Sequence, residues 1–449
     1  MTDIGLCEKS AALVLAGVLS GAAVEAEDRL TLVEAVTRAL SYYPSVQASV
    51  AQVEAAEAAV DEAEAARFPT VSVGASATRY QEPMIVHPIH AFTPDLVPPF
   101  DQNLFQALAD IRYSLFDGGG RSARIEESRA RRQSAESSLL EARQRLLSQL
   151  IQQYLSVLSR ARTLDAQERS LQALEAELSR VKQVFDVGRA ATIDVLRVEA
   201  SIAAARAERV RLTSSLDLAQ RRLARLVGVE TSETRASNLV PLALAGVSLP
   251  SREELLQNAL QSSPSARLAR GDLAVAEAAL DGSRSRRLPS VNLDGRYINY
   301  GSASGANSLE WNVGVSLAYS VFNGGVVSDA VARSHSAARS ASERLRWMEL
   351  EVAGEIDRGL SAKEEAEARI ESLKTAVVRF DEVSRIEKLR LETGVGTETD
   401  YIRAEADRLA AEAALIEARY AEIAARAELA RVAGNLSPEW VAEHLRSEP

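Results

Sequence analysis

Residues 309–325 read LEWNVGVSLAYSVFNGG, and their apolar positions fall on every second residue. Leu309, Trp311, Val313, Val315, Leu317, Tyr319 and Val321 alternate with Glu310, Asn312, Gly314, Ser316, Ala318 and Ser320. Successive side chains of a strand point to opposite faces, so the pattern predicts a strand with one wholly apolar face. A second alternation covers 107–115, where Ala107, Ala109, Ile111, Tyr113 and Leu115 are separated by Leu108, Asp110, Arg112 and Ser114. Weaker alternations follow Pro69 and Pro289. Elsewhere the period is helical. Between Gly120 and Asp186 no proline or glycine occurs, and Leu147, Leu150, Tyr154, Val157, Ala161 and Leu164 recur at alternating steps of three and four. That spacing is a coiled-coil seam, broken at Glu168. At about 1.5 Å per residue, such a helix reaches ~100 Å.

The pattern occurs twice. SLFDGGG (114–120) and SVFNGG (320–325) each close a strand and open a long polar helix. Pro44 and Pro69 answer Pro264 and Pro289 at an offset of 220 residues. Gly188 and Asp194, in VGRAATID, answer Gly394 and Asp400, in TGVGTETD, at an offset of 206. The 14-residue excess therefore lies in the first hairpin, around 81–103, where a loop absorbs insertions easily. The first repeat spans 27–228, with strands about 70–80 and 105–116, a long helix about 120–186 and a return helix about 194–227. The second spans 251–434, with strands about 290–299 and 309–322, a long helix about 326–391 and a return helix about 400–433. Residues 229–250 are an inter-repeat linker and 435–449 a C-terminal tail.

The apolar strand faces need a cover. The helices spend their stripes on one another, so lipid is the remaining candidate. The best strand is about as long as a tilted membrane strand, roughly 9–11 residues, and Trp311 and Tyr319 mark its ends as aromatic girdles do. Four strands cannot close a barrel, since the smallest membrane barrels have about eight. Open edges cannot stand in hydrocarbon, because their N–H and C=O groups have no partners there. Other copies of the chain must complete the sheet. The alternative is a non-channel periplasmic coiled-coil scaffold whose strands are small soluble hairpins.

Composition sharpens this. Aromatic residues are 5% and charged residues 26% of the 449, which argues against one large conventional core and for long helices packed side by side. A net charge of -11 disfavours nucleic acid as a partner. The single cysteine, Cys7, excludes a disulfide framework. No run of 18 apolar residues predicts a membrane-spanning helix. AALVLAGVLSGAAV (11–24), followed by small residues in VEA (24–26), makes 1–26 the expected signal peptide, with a weak n-region because Asp3 and Glu8 offset Lys9.

The ordered tandem of helix, strand, strand, long helix, turn and helix, with Phe-Asp/Asn-Gly-Gly after the second strand, resembles the TolC family of outer-membrane efflux proteins. The resemblance covers roughly 30–434. It implies a mainly α fold with a β-barrel segment. Tandem long helical hairpins would form a trimeric α-barrel, and four strands per chain would complete a 12-stranded membrane β-barrel. It also implies a homotrimer that joins an inner-membrane transporter through a periplasmic adaptor and serves a tripartite efflux pump or a type I secretion system. The barrel would meet outer-membrane lipid through Trp311, Val313, Val315, Leu317 and Tyr319.

The helix-to-helix turns are the candidate functional site. In the family they close the tunnel and dock the adaptor, which assigns contact to Val187, Gly188 and Arg189 and to Thr393, Gly394 and Val395. Arg189 and Thr393 depart from the usual residues. An acidic ring of the second return helix begins at Asp400, and its second position is Arg403. That departure leaves two readings, an Asp400–Arg403 pair or a weaker ring. Asp194 and Thr192 take the corresponding gate positions of the first repeat. Helix capping is the plain alternative, with Thr192, Thr397 or Thr399 and the two aspartates satisfying free N–H groups.

No enzyme motif is present. GSASG (301–305) has alanine where a nucleophilic serine would sit, GVGTET (394–399) lacks the lysine of a phosphate loop, and no HExxH occurs. His87 and His90 lie in a proline-rich loop and read as exposed residues. Neither cofactor nor metal is expected.

Overall fold

The computed structural model describes residues 29–89 and 97–447. The expected signal peptide and His90 lie outside the described residues. Helix α1 (Leu32–Tyr42) starts where the Thr31 hydroxyl accepts from the Glu34 N–H, and α2 (Pro44–Ala65) starts with proline at its first position. Strands β1 (Thr70–Ile85) and β2 (Phe100–Phe116) lead into α3 (Gly120–Asp186), which turns back into α4 (Thr192–Val227). After a short strand β3 (Leu242–Leu244), the plan repeats as α5 (Arg252–Ser262), α6 (Pro264–Ser285), β4 (Ser290–Ser302), β5 (Asn307–Ala318), α7 (Val326–Glu392) and α8 (Glu398–Val432). The chain closes with α9 (Pro438–His444) and β6 (Leu445–Ser447).

Both strand-to-helix corners require glycine. Gly118 and Gly119 have φ of 66° and 90°, and Gly324 and Gly325 have 63° and 90°. Two successive left-handed residues reverse the chain here, a conformation that costs any residue with a Cβ. The Phe-Asp/Asn-Gly-Gly motif thus has a backbone reason in each repeat.

α3 and α7 are each 67 residues, about 100 Å long. Leu147, Leu150, Tyr154 and Val157 of the α3 seam are fully buried, whereas Ala161 and Leu164 are only half-buried. The main core lies at this level, where α1, α4, α8 and α9 converge on α3 through Val36, Leu223, Ile423 and Val441. The Tyr154 hydroxyl accepts from the Val240 N–H at 2.8 Å and lies 2.9 Å from the carbonyl oxygens of both Leu30 and Val240, fixing the linker to the helix. The linker and the tail, which read as separate segments, meet here: β3 pairs antiparallel with β6. Three-residue strands carry too little pattern to be seen in sequence.

The four long strands form one antiparallel sheet in the order β1-β2-β4-β5. β1 and β2 run to 16 and 17 residues against 13 and 12 for β4 and β5, so part of the 14-residue excess lengthens the first hairpin instead of its loop. β5 ends at Ala318, which corrects its expected end near 322 and leaves Tyr319 and Val321 beyond the strand. The cause is the partner. Ala318 pairs with Ser290, the first residue of β4, and Pro289 before it has no N–H to donate. Among the described residues no helix is long and apolar enough to cross a membrane.

Candidate functional site

Two surfaces hold the candidate residues: the sheet and the helix-to-helix turns. In the sheet, register aligns the alternations. Trp311 stands opposite Tyr297, Val313 opposite Gly295, Val315 opposite Leu293 and Leu317 opposite Val291. Tyr297 is opposite Ala109, and Ala109 opposite Val73, so the apolar face runs unbroken across all four strands. It remains bare: Trp311, Val313, Val315 and Leu317 are each at least 65% exposed. The other face carries charge in cross-strand pairs. Arg296 donates to Asp110 at 2.6 Å, Arg112 to Asp294 at 3.3 Å, and the Ser316 hydroxyl to Asp294 at 3.2 Å.

The turns stand at the far end of the long helices. In the first, Gly188 (φ 76°) reverses the chain after Val187, and the Arg189 N–H returns to the Val184 carbonyl at 3.0 Å. Asp194 caps α4 by accepting from the Ala191 N–H at 3.2 Å, and Arg197 lies 3.9 Å from its other oxygen. Thr192 is the first helical residue, and Ala191 the cap position, so capping by Thr192 is not what the structure shows. Its register is one residue too late.

In the second turn, Gly394 (φ 76°) follows Thr393, whose hydroxyl donates to the Leu389 carbonyl at 2.9 Å. The Val395 and Gly396 N–H groups both reach the Arg390 carbonyl. Thr397 caps α8: its hydroxyl accepts from the Asp400 N–H at 3.2 Å and donates to the Asp400 carboxylate at 2.7 Å. Asp400 is therefore held by Thr397 and not by Arg403. Arg403, though on the same helix face, forms no ion pair among the described residues and is exposed. Of the two readings that Arg403 left open, the Asp400–Arg403 pair does not form among the described residues, and the Asp400 carboxylate is held by Thr397.

Behind these turns lies a contact that sequence reading missed. The Thr399 hydroxyl donates to Glu177 of α3 at 2.5 Å, and Arg180 grips the same carboxylate through two N–H groups at 2.8 and 2.9 Å. Glu177 is only 2% exposed. Nothing in a charged helix marks one glutamate as buried, because the α8 that covers it lies 222 positions away. One step further along, Glu405 of α8 accepts from Ser384 of α7 at 2.8 Å and from Arg408 at 2.6 and 2.9 Å. The Arg408 hydrogen bonds hold the Glu405 carboxyl below its ordinary value, and Glu405 and Glu412 push Arg408 up. Polar clasps thus join α8 to α3 and to α7 near the turns, while apolar contacts join them at the core level.

The sequence model of the outer membrane efflux protein family matches residues 35–229 and 255–435, most of the chain. The chain belongs to that family. "Outer membrane protein TolC" of Vibrio cholerae is 25% identical over 323 residues, covering 70% of this chain and 73% of its own length. "Protein CyaE" of Bordetella pertussis is 25% identical over 390 residues, covering 86% and 80%. The solved outer membrane protein VceC of Vibrio cholerae matches with a TM-score of 0.73 at 18% identity, over 90% of this chain and 97% of that one. At that identity the likeness establishes the fold, a mainly helical one shared with outer-membrane channels. The family is one of channels, not of enzymes, and this member is an outer-membrane protein.

Proposed function

We propose that three copies of this chain form an exit duct, with a β-barrel in the outer membrane continued by a helical tunnel across the periplasm. One observation carries the reading: a four-stranded sheet with free edges at β1 and β5 and a bare apolar face across its whole width. Such edges cannot enter hydrocarbon unpaired, and four strands cannot close on themselves. Three chains of four strands supply twelve, enough to enclose water. The apolar face then meets lipid, and the face with the Asp110–Arg296 and Arg112–Asp294 pairs lines the lumen.

Each repeat, 27–228 and 251–434, contributes two strands and one long helical hairpin, and the linker 229–250 joins the C-terminal tail through the pairing of β3 with β6. The turns form the tunnel's periplasmic end. Val187, Gly188, Arg189, Thr393, Gly394 and Val395 present the surface for a periplasmic adaptor, with Val187 and Val395 exposed for apolar contact. An inner-membrane transporter works through that adaptor, in efflux or in one-step secretion, and selects the cargo. Asp400, with Arg403, Asp194 and Thr192, surrounds the constriction. The duct itself performs no chemistry and takes no cofactor.

The test is the native protein's location, assembly and conductance. The expected result is fractionation with outer membrane, a trimer that heat converts to monomer, and ion channels in planar bilayers. A soluble, non-conducting monomer would overturn the duct and favour the coiled-coil scaffold.

A further inference from the structure

Where strands meet helices, an Arg-apolar-Pro triplet occurs in both repeats. Arg67, Phe68 and Pro69 precede β1, and Arg287, Leu288 and Pro289 precede β4. Neither large apolar side chain is covered, Phe68 being 73% and Leu288 52% exposed. Arg286 adjoins the second triplet as the C-cap of α6, and Arg124 lies one turn into α3. These four arginines are exposed and form no ion pair among the described residues. Their neighbours Arg121 and Arg284 are held by Asp117 at 3.5 Å and Asp281 at 3.0 Å. The levels coincide, because the α6–β4 elbow packs on the β2–α3 corner. A Cβ on Gly118 would fall 2.6 Å from the Ser285 carbonyl oxygen and 2.8 Å from the Leu288 Cβ.

Arg67, Arg286 and Arg287 lie at helix C-termini, where the dipole favours a positive charge, which accounts for their sign but not for Arg124 near the start of α3. The dipole does not account for the bare Phe68 beside Arg67 or the bare Leu288 beside Arg287. Guanidinium groups that grip phosphodiesters, next to apolar side chains that enter the acyl boundary, are the chemistry of a membrane interface. The elbow before β4 lies between β2 and β5, away from both sheet edges, so a neighbouring copy pairing at those edges would not cover it. We propose that this belt of unpaired arginines binds the phosphodiester headgroups of anionic phospholipid in the periplasmic leaflet. The proposal rests on the lipid-facing reading of the sheet.

Native mass spectrometry of trimers released from mixed phosphatidylcholine–phosphatidylglycerol nanodiscs tests it. Phosphatidylglycerol should be enriched on the wild-type trimer, by about fivefold per arginine engaged. A combined Arg67→Gln, Arg286→Gln and Arg287→Gln variant should insert as a trimer and lose the enrichment. An Arg121→Gln and Arg284→Gln variant should keep it. Equal enrichment in the wild type and the triple variant, or none in the wild type, overturns the proposal while leaving the duct intact. Displacement of the bound lipid by soluble glycerol phosphate would assign the site to free phosphate and overturn it too. Failure of the wild type to insert at all would remove the lipid-facing reading and this proposal with it.

Discussion

At the residue scale, the turns combine capping with charge. Thr397 orders the Asp400 carboxylate without neutralising it, so three copies brought to one constriction would place three negative charges close together. Asp400→Ala should lower cation preference and block by multivalent cations in planar-bilayer recordings. Arg403→Ala, which removes an exposed unpaired cation beside it, should raise cation preference. Unchanged selectivity from both substitutions, in channels that still form trimers, would leave capping as the whole role of Asp400. Glu405 sets a pH dependence. Its carboxyl is held below the ordinary 4.5 in the folded chain, so its stabilising contribution is complete above about pH 4.5 and is lost as pH falls through the lowered folded value. The gap in unfolding midpoint between wild type and Glu405→Gln should be widest near neutrality and should shrink in acid. A gap that widens in acid would contradict the clasp.

Among the elements, α7 and α8 depend on one close approach. A Cβ on Gly359 would lie 2.6 Å from Leu429 Cδ2 and 2.8 Å from its Cγ, and Leu429 is 1% exposed, with no room to withdraw. Gly359→Ala should therefore destabilise the hairpin by ~1–3 kcal/mol of overpacking, against roughly 1 kcal/mol gained in helix propensity. Gly354, on the same helix, meets only the tip of Arg358 at 3.8 Å. Gly354→Ala should instead raise the melting temperature, through up to about 1 kcal/mol of propensity. Thermal melts of the two variants moving in the same direction would refute the α7–α8 packing. The long helices themselves are legible in sequence, because a run without proline or glycine and a seam at steps of three and four depend only on neighbours in the chain. The Glu177–Thr399 clasp is not, since its partners belong to different repeats.

For the whole molecule, the sheet is the decisive part. Val315 lies on the bare apolar face and Ser316 on the face that carries Asp294, one residue apart. Val315→Arg should cost up to ~2–4 kcal/mol by placing a cation in hydrocarbon. Ser316→Arg should leave assembly intact and alter conductance. Trimer yield on unheated gels and single-channel current separate the two effects. Equal loss of trimer from both would mean that the faces are assigned wrongly.

The strands, the long helices, their twofold repetition and the corners are written locally along the chain, because each rests on neighbouring periodicity or on a glycine that must turn left-handed. The sequence also placed both helix-to-helix turns and Asp400 within them. Tertiary structure decided what required distant partners. It stopped β5 at Ala318, where β4 has Pro289 and no further N–H to offer. It joined linker to tail as β3 and β6, gave Asp400 to Thr397 instead of Arg403, and buried Glu177 beneath α8. A charged residue looks the same in sequence whether water or another helix covers it, and only the packed chain distinguishes the two.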